Sequence, residues 1–255
     1  MACDEALLRS FTLGGSQPVF RIYEWEPATL SLGRFQNCLE VLDLGRCRWD
    51  RMPIVRRISG GGVIYHAAEL TYSLVCSPRH LPEAVSVKDG FRVLTRFLLG
   101  FYRRLGLEAD YAVNVEPDGT RLGERTPFCF AGRETFDIVV AGLKIGGNAQ
   151  RRTRGAIFQH GSIPLRNRAF EGLNYMRDRS PEQGLTAGSL DEFGIEADSA
   201  TLKRTLADAF TAEMAVTLEA SGLTVAEVAL NRRLLDIKYS RDSWNIDGEI
   251  DEHQT

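Results

Sequence analysis

Five short strand-like segments, 18–24, 28–33, 54–58, 63–66 and 70–76, fall in the first third of the 255-residue chain, with no long helical pattern between them. That order argues against regular βαβ units and for an α+β fold, strands first and helices later. A helix is expected at the start, where Ala2, Ala6, Leu7 and Phe11 share a face before Gly14-Gly15 ends it. Another spans Val87 to Leu105, with Val87, Phe91, Leu94, Leu98, Phe101 and Leu105 on one side and Gly106 just after it. Strands return from Phe128: Asp137 to Val140, a turn at Ala141-Gly142, a run from Lys144, and Gly155 to Ile163. Helical patterns follow at Leu202 to Leu218 and Val225 to Tyr239, and the polar residues Asp242 to Thr255 are expected to fray. The architecture implied is one domain over 1–245, a mixed, largely antiparallel sheet flanked by helices, with a polar tail over 246–255.

Composition removes several function classes. At 44% hydrophobic and 25% charged residues the chain reads as a soluble globular protein. With 31 Lys+Arg against 34 Asp+Glu, no global basic field recruits nucleic acid. The apolar runs are too short to span a membrane. Five cysteines, four histidines and no CxxC pair fit neither a disulfide framework nor a zinc spacing, so no metal is expected, and the protein reads as cytoplasmic with reduced thiols.

Three stretches carry residues that chemistry can use. In Arg56-Arg57-Ile58-Ser59-Gly60-Gly61-Gly62, three missing Cβ atoms let a ligand lie on bare backbone, whose N–H groups bind anions or carbonyls. No Lys-Ser/Thr follows and the next residues read as strand, so neither a P-loop nor a dinucleotide fingerprint fits. A glycine-rich hairpin with two solvated arginines fits as well. In Lys144-Ile145-Gly146-Gly147-Asn148-Ala149-Gln150, one lysine followed by small residues on a strand points to an ammonium aimed at a closely approached site, or to an exposed hairpin. The third pairs Cys129, between Phe128 and Phe130, with Gln159-His160-Gly161-Ser162. A single cysteine or histidine is more often structural, and Cys3, Cys38, Cys47 and Cys76 are read as core.

In order, Arg56 to His66, Glu69 to Ser73, Lys144 to Arg152 and Gln159 to Ile163 resemble the lipoate-protein ligase and octanoyltransferase family, whose catalytic domain is similar to that of biotin protein ligases. The likeness extends from Asp4 to Asn245, and within the family Cys129-Phe130 ahead of Lys144 is most similar to the cysteine-dependent octanoyltransferases. The resemblance implies an acyl-thioester on Cys129, with Lys144 lowering the thiol pKa, and no cofactor. It further implies an octanoyl group moved from acyl carrier protein to a lysine of a lipoyl domain or glycine-cleavage H protein.

Gly60, Gly61, Gly62, Gly146 and Gly147, with Asn148 and Gln150, are then expected to line the acyl slot. His66 and His160 are expected to position groups or move protons. Arg56, Arg57, Arg151, Arg152 and Arg154 are expected to meet the acidic carriers. Gly60-Gly61-Gly62-Val63-Ile64-Tyr65-His66 is nearer the ligase form of the motif, so the alternative is an ATP- and Mg²⁺-dependent lipoate-protein ligase. Relative to the family, no strand is expected from the residues ahead of the Asp4 to Leu8 helix, and no accessory domain like that of bacterial ligases is expected from the residues after Asn245.

Overall fold

A computed structural model describes residues 1–11, 17–117, 122–123, 126–180 and 185–249. Helix α1 (Ala2–Ser10) opens the chain; its expected stop at Gly14 and Gly15 lies outside the described residues. It buries Ala6 and Leu7 together with two carboxylates, Asp4 and Glu5. Buried carboxylates need partners. Asp4 accepts from Arg21, from Tyr23 at 2.9 Å and from Ser73 at 2.7 Å, and Glu5 accepts from Lys238 at 2.7 Å and Tyr239 at 2.6 Å. The first helix is thereby tied both to the sheet and to the C-terminal helices.

Strands β1 (Val19–Tyr23) and β2 (Thr29–Leu32) follow, then two short helices, α2 (Cys38–Val41) and α3 (Leu44–Trp49), each capped by a side chain, Asn37 and Asp43. Next come β3 (Ile54–Arg56), β4 (Ile64–His66) and β5 (Glu69–Cys76). Helix α4 (Val87–Arg104) starts at the Ser86 cap and presents Leu94, Leu98 and Phe101 to the sheet as its periodicity predicts, together with Phe97, whereas Val87 of the expected face is exposed in the first turn. Beyond it lie β6 (Ala109–Tyr111), α5 (Ala112–Val115), β7 (Ile138–Val140), β8 (Leu143–Arg152), β9 (Ile157–Pro164) and α6 (Ala169–Leu173). Helices α7 (Ser199–Met214), α8 (Val225–Leu234) and α9 (Asp242–Asn245) complete the order, with a π-helical turn, Leu235–Tyr239, between the last two.

Six strands form an antiparallel sheet in the order β1-β5-β9-β8-β7-β6, and β3-β2-β4 form a small mixed sheet beside it. Every residue of β5 and β9 is buried, because helices cover both faces of the large sheet: α4 and α7 on one, α1 and α8 on the other. The β7–β8 connection is the two-residue turn expected at Ala141-Gly142, both with positive φ (46° and 83°), which suits the twist of a tight hairpin. Two expectations are corrected. Phe128 does not begin a strand; it makes a single bridge to Val63 and leads into one 3₁₀ turn, Cys129–Ala131. Nor do residues 242–249 fray: Trp244 and Asn245 are buried, and the carbonyls of Trp244 and Ile246 accept from Arg56 at 2.9 and 2.8 Å. The end of the tail, 250–255, lies outside the described residues.

Candidate active site

The bridge between Val63 and Phe128 docks the cysteine segment on the glycine loop. Val63 donates its N–H to the Pro127 carbonyl at 2.7 Å, and Cys129 donates its N–H to the Val63 carbonyl at 2.9 Å. Such an approach needs bare backbone. A Cβ on Gly62 would stand 2.7 Å from the Thr126 oxygen and 2.8 Å from the Cys129 nitrogen, while Gly61 holds φ +101°. The second and third glycines of the motif therefore answer to geometry, whereas Gly60 has open space around it.

The β7–β8 hairpin brings Lys144 to the other side of the same turn. Its side chain is 1% exposed, and its three N–H donors are filled by Asp137 Oδ2 at 2.7 Å, the Cys129 carbonyl at 2.8 Å and the Gly132 carbonyl at 2.9 Å. Burial alone would lower the pKa of this lysine; Cys129 and Asp137 outweigh it and hold the ammonium above its ordinary value. Lys144 thus clamps the backbone of the cysteine turn. Gly147, three residues on, lets β8 pass the thiol: a Cβ there would lie 3.3 Å from Cys129 Sγ and 3.6 Å from Lys144 Cε.

These groups line one cavity of about 890 Å³, large enough for a small-molecule substrate. Of the residues the sequence singles out, Arg57, Gly60, Gly61, Gly62, His66, Cys129, Lys144, Gly147, Asn148, Gln150 and His160 face it. Gly146 does not; it lies against Tyr102 and Ser162. Asn148 is oriented by Tyr72, whose hydroxyl donates to Oδ1 at 2.6 Å, and Gln150 donates to Gln159 at 2.9 Å.

Arg56 and Arg57 do not face a carrier protein. Both are 1% exposed. Arg56 lies outside the cavity and spends its guanidinium on five carbonyls, among them Gln36 at 2.6 Å, Trp244 and Ile246, pinning the C-terminal segment to β3. Arg57 donates to Ser31 O and Oγ and to the Gly60 and Gly62 carbonyls, and so shapes the glycine loop from beneath. Of the five arginines expected to meet carriers, Arg152 and Arg154 are exposed and Arg151 is half-buried, on β8 and the turn after it.

The histidines are held rather than offered. His66 stacks on Trp25 with 4.0 Å between centroids, and its nitrogens contact Ser31 Oγ and Glu69 Oε1, each at 2.5 Å. Both ring nitrogens are thereby engaged within the fold. His160 contacts Ser59 Oγ at 2.5 Å, and burial together with the nearby Arg57 pushes its pKa down to about 3, so the ring is neutral.

Two further carboxylates organise the site, one without a sequence signal of its own and one that opens the Glu69 to Ser73 motif. Asp137 reads only as the polar start of a strand, yet it is the counter-ion of Lys144; the clue is that a buried lysine requires an anion. Glu69 gathers His66, Thr71 at 2.6 Å and Ser162 onto one carboxylate. Burial pushes the Cys38 and Cys47 thiols up to about 11 and Cys76 up to about 12, in keeping with core roles, and Cys3 is half-buried under α8 and raised for the same reason.

A cysteine turn seated on a glycine loop, clamped by a lysine from a neighbouring hairpin and facing one cavity on an α+β sheet, defines a catalytic domain of the protein-lipoylating class. The chain belongs to the lipoyl protein ligase A/B catalytic domain family, whose model matches residues 1–214. It is 32% identical to the octanoyltransferase LipM of Halalkalibacterium halodurans, covering 96% of this chain and 93% of that protein. It is 33% identical to the octanoyltransferase LipM of Bacillus subtilis, covering 96% and 92%. Among solved structures, a T. acidophilum protein assigned as a lipoate protein ligase, with lipoic acid bound, superposes with a TM-score of 0.80 at 25% identity, over 96% of this chain and 92% of that one.

Proposed function

We propose that the protein is an octanoyltransferase of lipoate biosynthesis, working through an acyl-thioester on Cys129. The observation that carries this is the position of the thiol: Cys129 Sγ lies in the cavity wall against the bare backbone of Gly147, beside a buried ammonium. The curated relatives that match along nearly the whole chain are octanoyltransferases.

In the first step the Cys129 thiolate attacks the carbonyl carbon of an octanoyl thioester on acyl carrier protein. A carbon–sulfur bond to Sγ forms, the bond to the carrier's sulfur breaks, and the carrier leaves as a thiolate. In the second, the neutral ε-amine of a lysine on a lipoyl domain or glycine-cleavage H protein attacks the same carbon. The carbon–nitrogen bond forms, the bond to Sγ breaks, and the proton lost by nitrogen balances the restored thiolate. Splitting one transfer between two large proteins into two steps is the use of covalent catalysis. Burying the octanoyl methylenes yields at most about 5 kcal/mol at ~0.8 kcal/mol each, enough to hold the chain but not to orient its carbonyl. Orientation falls to the backbone of the glycine loop and of β8.

A thioester is already activated, so on this account neither ATP nor Mg²⁺ is consumed and the enzyme works among reduced thiols in the cytoplasm. No described helix is long and apolar enough to cross a membrane. The test is transfer from octanoyl-carrier thioester to a lipoyl domain without ATP, run beside free lipoate with ATP and Mg²⁺. Turnover confined to the first supports the transferase; turnover confined to the second makes the protein a ligase with Cys129 a bystander.

A further inference from the structure

We infer that Phe35, with Arg34 beside it, anchors the acceptor domain that brings the target lysine to the acyl-enzyme. This rests on Cys129 carrying the octanoyl group, and it names the surface on which the second partner lands. Phe35 is 84% exposed, yet the loop that carries it is firmly held. Arg34 donates its N–H to the Ser59 carbonyl at 2.8 Å, and Arg56 donates to the Gly33, Arg34 and Gln36 carbonyls at 3.2, 3.2 and 2.6 Å. Gln36 ties the loop to the cysteine segment: its Nε2 donates to the Pro127 carbonyl at 2.9 Å, and its Oε1 accepts from the Gly33 N–H at 2.9 Å. An aromatic ring left in water on fixed backbone loses little entropy when a partner covers it, which is the character of an interface anchor.

The place of the ring singles it out. Of the large apolar side chains that stand exposed among the described residues, Phe35 and Val87 line the cavity that holds Cys129. Phe35 alone of these two also borders a second concavity, of about 480 Å³, which it shares with Leu39 of α2, Trp244 and Ile246. The two hollows are thereby continuous across the Phe35-Gln36 loop. Positive charge lies along the same rim. The Arg34 guanidinium stands 5.7 Å from the centres of the Phe35 and Trp244 rings, and Arg151 acts on it as a like charge. Neither arginine makes an ion pair among the described residues; Arg151 donates to the Ile58 carbonyl at 3.2 Å.

The two macromolecules of the reaction reach the thiol differently. A carrier thioester arrives at the end of a long prosthetic arm, so the carrier's own surface can stay well back from the cavity. The lysine ε-amine stands only four methylenes from its backbone, so the domain that bears it must press against the rim. An exposed rim aromatic therefore serves the acceptor, and the uncompensated arginines fit carboxylates beside the acceptor's lysine.

The test separates the two half-reactions in the full-length protein. Loading is followed by intact mass after mixing with octanoyl-carrier thioester, and discharge by adding a lipoyl domain at increasing concentration to the isolated octanoyl-enzyme. In Phe35→Ala the domain concentration for half-maximal discharge is expected to rise about tenfold, while loading slows less than about threefold, and Phe35→Trp is expected to keep most of the parent behaviour. Arg34→Ala is expected to weaken discharge about threefold at low salt and not at about 0.5 M salt. Hydroxylamine, a nucleophile with no domain to dock, is expected to discharge parent and Phe35→Ala at the same rate. An unchanged half-maximal concentration in Phe35→Ala overturns the inference. So does loading that falls as far as discharge, which would give the surface to the carrier, and so does equally slowed hydroxylamine discharge, which would make the residue merely structural. A parent that never acquires the octanoyl group removes the acyl-enzyme and this inference with it, and shows before any acceptor is added.

Discussion

The Lys144 ammonium and the Asp137 carboxylate meet at 2.7 Å in the wall of the cavity, with 1% and 3% of their side chains exposed. Neither is at the surface, where an ion pair would contribute little. The pair joins the β7–β8 hairpin to the cysteine turn, since the same ammonium holds the Cys129 and Gly132 carbonyls.

Breaking that pair leaves a buried charge alone. Lys144→Met and Asp137→Leu are each expected to cost about 3–5 kcal/mol, and the double variant less than the sum of the two. Urea unfolding of the four proteins in a double-mutant cycle measures the coupling; strictly additive losses would mean the pair is not an energetic unit.

Gly147 is a packing requirement of the chemistry more than of the fold. In Gly147→Ala the methyl group would stand 3.3 Å from Cys129 Sγ and 3.6 Å from Lys144 Cε, so either the thiol or β8 must shift by a few tenths of an ångström. Displacements near a reacting atom are costly to rate, so acyl transfer is expected to fall at least tenfold while the thermal midpoint changes little. Unaltered kcat/KM for the octanoyl donor would show that the thiol does not react at this wall.

His160 gives the protein a pH signature. In the unfolded chain it takes up a proton below about pH 6.5, whereas in the fold it stays neutral down to about 3. The unfolded state then binds the extra proton, so stability falls as pH falls, by up to about 1.4 kcal/mol per unit between those limits. Denaturation at pH 6.5 and pH 5 should show this loss in the parent and a much smaller one in His160→Gln. Equal slopes would contradict it.

What was legible in the sequence is what depends on neighbours along the chain. The α4 periodicity with its Ser86 cap, and the Ala141-Gly142 turn, are local signals and appear as expected. The ordered motifs also point to the family and to most of the residues that face the cavity, although Arg56 and Gly146 lie outside it. The fate of the arginines was not legible. Arginine is rarely buried, and Arg56 is buried only because carbonyls of residues 33–36 and 244–246 converge on it across the sequence. Trp244, whose indole donates to the Arg56 carbonyl at 3.1 Å, is likewise held by that distant partner, which the polar composition around it concealed. The pairing of Lys144 with Asp137 has no spacing rule behind it; it follows from the hairpin fold and from the cost of burying an ammonium.

A covalent octanoyl group on Cys129 is the intermediate on which the proposed transfer depends. Incubation with octanoyl-carrier thioester in the absence of acceptor, followed by intact mass and peptide mapping, measures it directly. One octanoyl adduct on Cys129 is expected, absent in Cys129→Ala and discharged when a lipoyl domain is added. Turnover without any such adduct, or an adduct that persists in Cys129→Ala, would contradict it.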